Sequence, residues 1–132
     1  MTIEIDYLKK ILSKAQASER AVFNIQDLVD NDSDINDEKF VFHLKILADQ
    51  SLIVSDYDNS NNIGDSRNGN GSLSWSIKFL RLTNDGHDFI EALNNNTVWN
   101  KLKDEVKTRS LSVLVSTAKI LLLKSIEQTL NL

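Results

Sequence analysis

The chain has 132 residues, 41% of them apolar and 26% charged, the balance of one globular domain with enough material for a real core. It has no cysteine, which excludes a disulfide framework, a thiolate nucleophile and a cysteine-based zinc site. The net charge of −4 is uneven, with twelve Asp and Glu against six Lys and Arg in residues 1–60 and three against six in residues 95–132; an acidic body of this kind is a poor general nucleic-acid binder, because non-specific affinity comes from neutralising phosphates.

Ile5, Leu8, Ile11, Leu12 and Ala15 recur at helical spacing and predict a first helix over residues 2–17. Residues 21–25 are too few for a helix and read as a small strand, with Asn24 placed to cap a short second helix over 25–29. The polar run 30–36 reads as a turn ending on Asn36, the expected N-cap of a third helix over 37–50. Asp37 and Glu38 in its first turn suit the positive end of the helix dipole. At about 100° per residue, Phe40, Val41, Leu44, Leu47 and Ala48 share a packing face, with His43 at its edge. Phe42, Lys45, Ile46 and Asp49 point the other way, beside Lys39.

A strand is expected over 52–55, then a mobile hairpin loop over 56–72, where Asn68-Gly69 and Asn70-Gly71 are turn signals. Leu73, Trp75, Ile77 and Phe79 alternate with polar residues as a half-buried strand. The parity changes at Phe79-Leu80, which implies a bulge or a change of environment. Thr83 suits the N-cap of a helix to about residue 93, and Asn96 or Thr97 caps another through Val98, Trp99, Leu102 and Val106. Arg109-Ser110 marks the next break. The last helix, residues 111–129, is apolar nearly all round, where a surface helix needs a single stripe. The missing cover is expected to be a second subunit, with Trp99, Leu114, Ala118, Leu121 and Leu122 as the oligomerisation residues of a dimer.

This order of helix, strand, loop, strand and helix is the grammar of a winged helix-turn-helix. His43-Leu-Lys-Ile-Leu47 with Leu52-Ile53 behind it resembles the end of the recognition helix in winged-helix repressors of the arsenical-resistance type. Those repressors usually place Gly, a left-handed helix stop, where this chain has Ser51. Arg81-Leu-Thr-Asn-Asp-Gly-His-Asp-Phe-Ile90, followed by Asn95-Asn-Thr-Val-Trp-Asn-Lys-Leu-Lys103, is similar to a family of small bacterial and phage proteins of unknown function, with Asn96 in place of the usual Asp. The resemblance implies a winged-helix core over residues 1–94, a C-terminal helical extension over 95–132, and a link to prophages or other mobile elements. The expected class is α+β, mostly helical.

Candidate chemistry is thin. Asp30-x-Asp32-x-Asp34 opens like a calcium loop, but Ile35 and Val41 stand where that loop needs Gly and a bidentate Glu. His43 and His87 have no carboxylate partners at metal-ligand spacing, and no nucleophile motif or phosphate-binding glycine loop is present. No catalytic residue, metal or cofactor is therefore expected. The start of the chain reads as an amphipathic helix, residues 120–123 are too short an apolar run to span a bilayer, and a cytoplasmic location without membrane contact is expected.

Two functions remain. A DNA-binding regulator would contact double-stranded DNA through Lys39, Phe42, Lys45, Arg67 in the wing and Lys78. The alternative is a protein-interaction or antagonist module that kept the winged-helix fold without DNA binding, using Phe42, Ile46 and the acidic wing base (Asp56, Asp58, Asp65) on a host or phage protein.

Overall fold

The computed structural model describes residues 1–105 and 110–130 and is an α+β structure dominated by helices. Helix α1 (Ile5–Gln16) buries Ile5, Leu8, Ile11, Leu12 and Ala15, the predicted stripe. Two short 3-10 turns follow, Ile25–Leu28 and Asp32–Asn36. The first replaces the expected second α-helix. Asn24 closes a reciprocal cap, accepting from the Gln26 and Asp27 N–H groups while Asp27 accepts from Asn24 N–H at 2.9 Å. Val29 is already extended, so there is no room for a full α-turn to propagate.

Helix α2 (Glu38–Asp49) is capped by Asp37, which accepts from Lys39 N–H at 3.0 Å. Asn36, the expected cap, instead accepts from the Trp75 indole. Phe40, Val41, Leu44, Leu47 and Ala48 are buried as the periodicity requires. His43 is not at an edge but fully buried.

The end of α2 explains Ser51. Leu52 N–H donates to Leu47 O at 3.0 Å and Ser51 N–H to Ala48 O at 2.9 Å, the paired bonds of a Schellman stop. Ser51 takes the left-handed position, φ 56°, where a Cβ is strained and Gly is not.

Strand β1 (Ile53–Ser55) pairs antiparallel with β4 (Leu80–Leu82), Ile53 opposite Leu82. On the other side of β4, Phe23 and Leu80 exchange backbone bonds of 3.0 and 2.7 Å. β4 therefore lies between Phe23 and β1, and the small strand expected at 21–25 is reduced to this bridge. Strands β2 (Asp65–Arg67) and β3 (Leu73–Trp75) form a separate hairpin, Arg67 opposite Leu73 and Asp65 opposite Trp75. Its turn closes through Asn68 and Ser72, where the Asn-Gly signals placed it. The expected strand 73–79 stops at Trp75. One last bond in the same register, Ser76 N–H to Gly64 O at 2.8 Å, ends that ladder, and β4 begins with a new partner, so the parity change marks a change of sheet.

Helix α3 (Asn84–Asn94) starts on Thr83, which accepts from Gly86 N–H at 3.0 Å and donates to Ser51 O at 2.7 Å. Gly86 lets α3 lie against the end of α2, since a Cβ there would stand 2.2 Å from Leu52 O. Helix α4 (Asn96–Leu102) is capped by Asn95, where Asn96 or Thr97 was expected; Val106 and Arg109 lie outside the described residues. Helix α5 (Leu111–Leu130) packs on α3 and α4. Leu111, Leu114 and Ala118 belong to the same core as Leu8, Leu44 and Ile90, so α5 shares the core of the body. Among the described residues no helix is long and apolar enough to cross a membrane.

Candidate functional site

Of the residues expected to meet DNA, Phe42 and Lys45 share the outer side of α2 and Arg67 reaches it from β2, but Lys39, Lys45 and Arg67 are each engaged by the protein itself. Lys39 Nζ lies 2.6 Å from Glu4 Oε2 and 5.0 Å from the Tyr7 ring centroid. Lys45 Nζ donates to Asp65 Oδ2 at 2.9 Å. The Arg67 guanidinium grips both Glu38 oxygens at 2.7 and 2.9 Å and also donates to Gly71 O. The Arg67 bond holds the Glu38 carboxyl below its ordinary range, and Lys39 does the same for Glu4. Lys78 is half-buried and, among the described residues, forms no ion pair within 4 Å.

These bonds share one consequence. Asp65 and Arg67 of β2 and Trp75 of β3 reach Lys45, Glu38 and Asn36 in turn, so the β2–β3 hairpin is laced along α2 from just before its start to its middle. Phe42 and Ile46, expected to stand bare, are half-buried. Phe42 packs edge-on to His43, centroids 5.1 Å apart; Ile46, Leu73 and Trp75 pack against the core. Side-chain hydrogen bonds across 20 to 39 residues have no local signature, and for that reason nothing in the sequence marks Glu4, and Asn36 and Glu38 are marked only as residues of a helix start.

Beneath this face His43 is held as the neutral ring. Its Nε2 accepts from Glu4 N–H at 3.0 Å and its Nδ1 lies 2.7 Å from Lys39 O, so Nδ1 carries the proton. Burial pulls its pKa below the ordinary histidine value, only partly opposed by the Lys39 carbonyl and Glu4.

Of the expected oligomerisation residues, Leu114 and Ala118 are buried in their own chain at 1% and 0% exposure. That corrects their assignment, because α3 and α4 already occupy that face. Leu121 and Leu122 are half-buried, and so is Trp99 beneath the Lys9 ammonium, 4.3 Å from the ring centroid. The open apolar residues of α5 are instead Val113, Ile120, Leu123, Ile126 and Leu130.

Of the three acids expected at a wing base, Asp65 is held by Lys45 and Asp58 accepts from the Ser60 hydroxyl and N–H, which lower its pKa, while Asp56 is exposed. A cleft of about 620 Å³ at the end of α1 is bordered by Lys14, Arg20, Phe23 and Phe79, with Arg20 over the Phe79 ring. Among the described residues no group of three His, Asp or Glu is arranged to hold a metal ion.

A family model described as "Hypothetical protein (DUF2513)" matches residues 3–112. An uncharacterised protein of Haemophilus influenzae is 28% identical over 115 residues, which cover 86% of each chain. No solved structure matches.

Proposed function

Since the chain belongs to the DUF2513 family of hypothetical proteins, we propose that it is a non-enzymatic winged-helix protein that works by binding another protein, with α2 and its hairpin as one pre-assembled surface. The winged-helix reading is supported by the element order from α1 through Phe23, the 3-10 turns, α2, β1 and the hairpin to a central β4. The protein-binding reading is carried by one observation: the β2–β3 hairpin is laced over the side of α2 that would enter a major groove. A recognition helix needs that side free, and phosphate contacts need cations that are not already paired. What the surface offers is half-buried Phe42, Ile46 and Trp75 within a ring of matched charges, the pattern of an apolar patch with a polar rim.

A second reading, a DNA-binding regulator of a mobile element, draws on the same topology. The ion pairs are exposed and therefore cheap to exchange for phosphates. Binding of the full-length protein to mixed-sequence duplex, and to fragments of the genome it comes from, separates the two. The protein-binding reading expects no retention at low salt, even for a Glu38→Gln, Asp65→Asn variant that frees Arg67 and Lys45. Selective retention that weakens with salt by the slope of several phosphates would establish the regulator instead.

A further inference from the structure

Helix α5 is apolar on two opposite faces. One is covered by α3 and α4. The other carries Ile120, Leu123, Ile126 and Leu130, exposed by 54%, 53%, 44% and 78%. Such a stripe on a small domain calls for an occupant, and its sequence is symmetric about one residue. At about 100° per residue, Ile120 and Ile126 fall roughly 60° to either side of Leu123. Lys119 and Glu127 fall roughly 40° to either side, and Ser116 and Leu130 roughly 20°.

We propose that this face is the contact between two copies of the chain, paired through antiparallel α5 helices that cross at Leu123. A two-fold axis there sets Leu123 on the partner's Leu123 and Ile120 level with the partner's Ile126. It also sets Lys119 level with the partner's Glu127, twice over. A self-complementary charge pair is what an isologous interface requires, whereas parallel pairing would set like charges side by side. Neither Lys119 nor Glu127 forms an ion pair within 4 Å among the described residues. This holds although Lys119 shares a small cleft with Asp85 and Asp88 of α3. Four open apolar side chains are few beside the roughly 20–30 residues a side of a standard interface, so the dimer is a weak one that forms reversibly. The inference is independent of the α2 surface.

Sedimentation equilibrium of the full chain from about 1 to 200 μM should show a monomer–dimer equilibrium within that range. Lys119→Glu should raise the dissociation constant at least about tenfold, and adding Glu127→Lys should restore it, with helix content unchanged by circular dichroism. The chain has no cysteine, so a single introduced one reports geometry. Oxidised Leu123→Cys should cross-link to a covalent dimer. Val113→Cys should not, because ten residues of helix on each side put the two thiols about 30 Å apart. A monomer at every concentration, failure of the double reversal to restore pairing, or equal cross-linking at both positions would each overturn the proposal. Capture of another protein by this face, with no self-association, would do so as well.

Discussion

The outer face of α2 and the outer face of α5 both reach solvent, yet they are finished in opposite ways. Around α2, Lys39, Lys45 and Arg67 each have a carboxylate supplied from another element, and the apolar side chains Phe42 and Ile46 are half-buried. Along α5 the apolar side chains stand open, and the two charges that flank them have no ion-pair partner within 4 Å among the described residues. Exposed ion pairs contribute little to stability, so the lacing over α2 chiefly sets the hairpin's position. The charges around α2 are matched within the chain, and those along the outer face of α5, among the described residues, are not.

The largest test of that contrast compares two leucines of one helix. Leu114 is core and Leu123 is surface. Leu114→Ala should cost roughly 2–5 kcal/mol, the transfer term plus a cavity. Leu123→Ala should leave the unfolding free energy of the monomer within about 0.5 kcal/mol. Urea denaturation at low protein concentration measures both. Equal, small effects would return Leu114 to the interface and contradict the covered face of α5.

Gly86 sits at the seam between the two regions. Gly86→Ala would press a methyl group into Leu52 O, a backbone atom that cannot swing aside. The strain should cost about 1–3 kcal/mol in the same denaturation experiment. An unchanged midpoint would mean that α3 can slide away from the α2–β1 turn without penalty.

What was legible in the sequence follows from how local each determinant is. The stripes of α1 and α2, the Thr83 cap and the Asn-Gly turn depend on neighbours within a few residues, and they appear where periodicity and turn chemistry place them. The 3-10 turn at Ile25–Leu28 was missed as a helix because apolar spacing over five residues does not distinguish the two. The candidate site was legible as a list of residues but not as a state. Lys45, Arg67 and Phe42 do lie on one side of α2, while the pairing of Lys45 with Asp65 and of Arg67 with Glu38 depends on residues brought together by the fold. Continuous apolarity in α5 signalled that both faces needed cover, but the pattern alone could not say which face α3 and α4 would take.

A smaller effect, and one that runs toward greater stability, concerns Ser51. Its left-handed backbone strains a Cβ, so Ser51→Gly should stabilise by up to about 1 kcal/mol, less the extra freedom Gly gives the unfolded chain. A higher thermal midpoint with unchanged self-association would show that the α2–β1 joint carries relievable strain and is not tied to the open face of α5.

The smallest effect lies beneath the α2 face and depends on pH. His43 is neutral, donating from Nδ1 to Lys39 O and accepting at Nε2 from Glu4 N–H, and burial holds its pKa below 6.5. In the unfolded chain the ring titrates near its ordinary value of about 6.5. Between the two values the unfolded state binds more protons, so stability is full above about pH 6.5, falls as the pH drops through that window, and levels off below the folded value. The carboxyls of Glu4, Asp30 and Glu38, whose pKa values are lowered by their Lys and Arg partners, begin to matter only below about pH 4.5. Loss of stability between pH 7 and 5 should therefore belong to His43 and disappear in His43→Gln, which keeps a donor and an acceptor but cannot titrate. Protonation removes the acceptor that holds Glu4 N–H, next to the Lys39–Glu4 pair, so amide exchange at Glu4 should quicken over the same interval while exchange in α5 does not. Equal quickening in both would mean that acid loosens the whole fold, and His43 would then hold no special place under the α2 face.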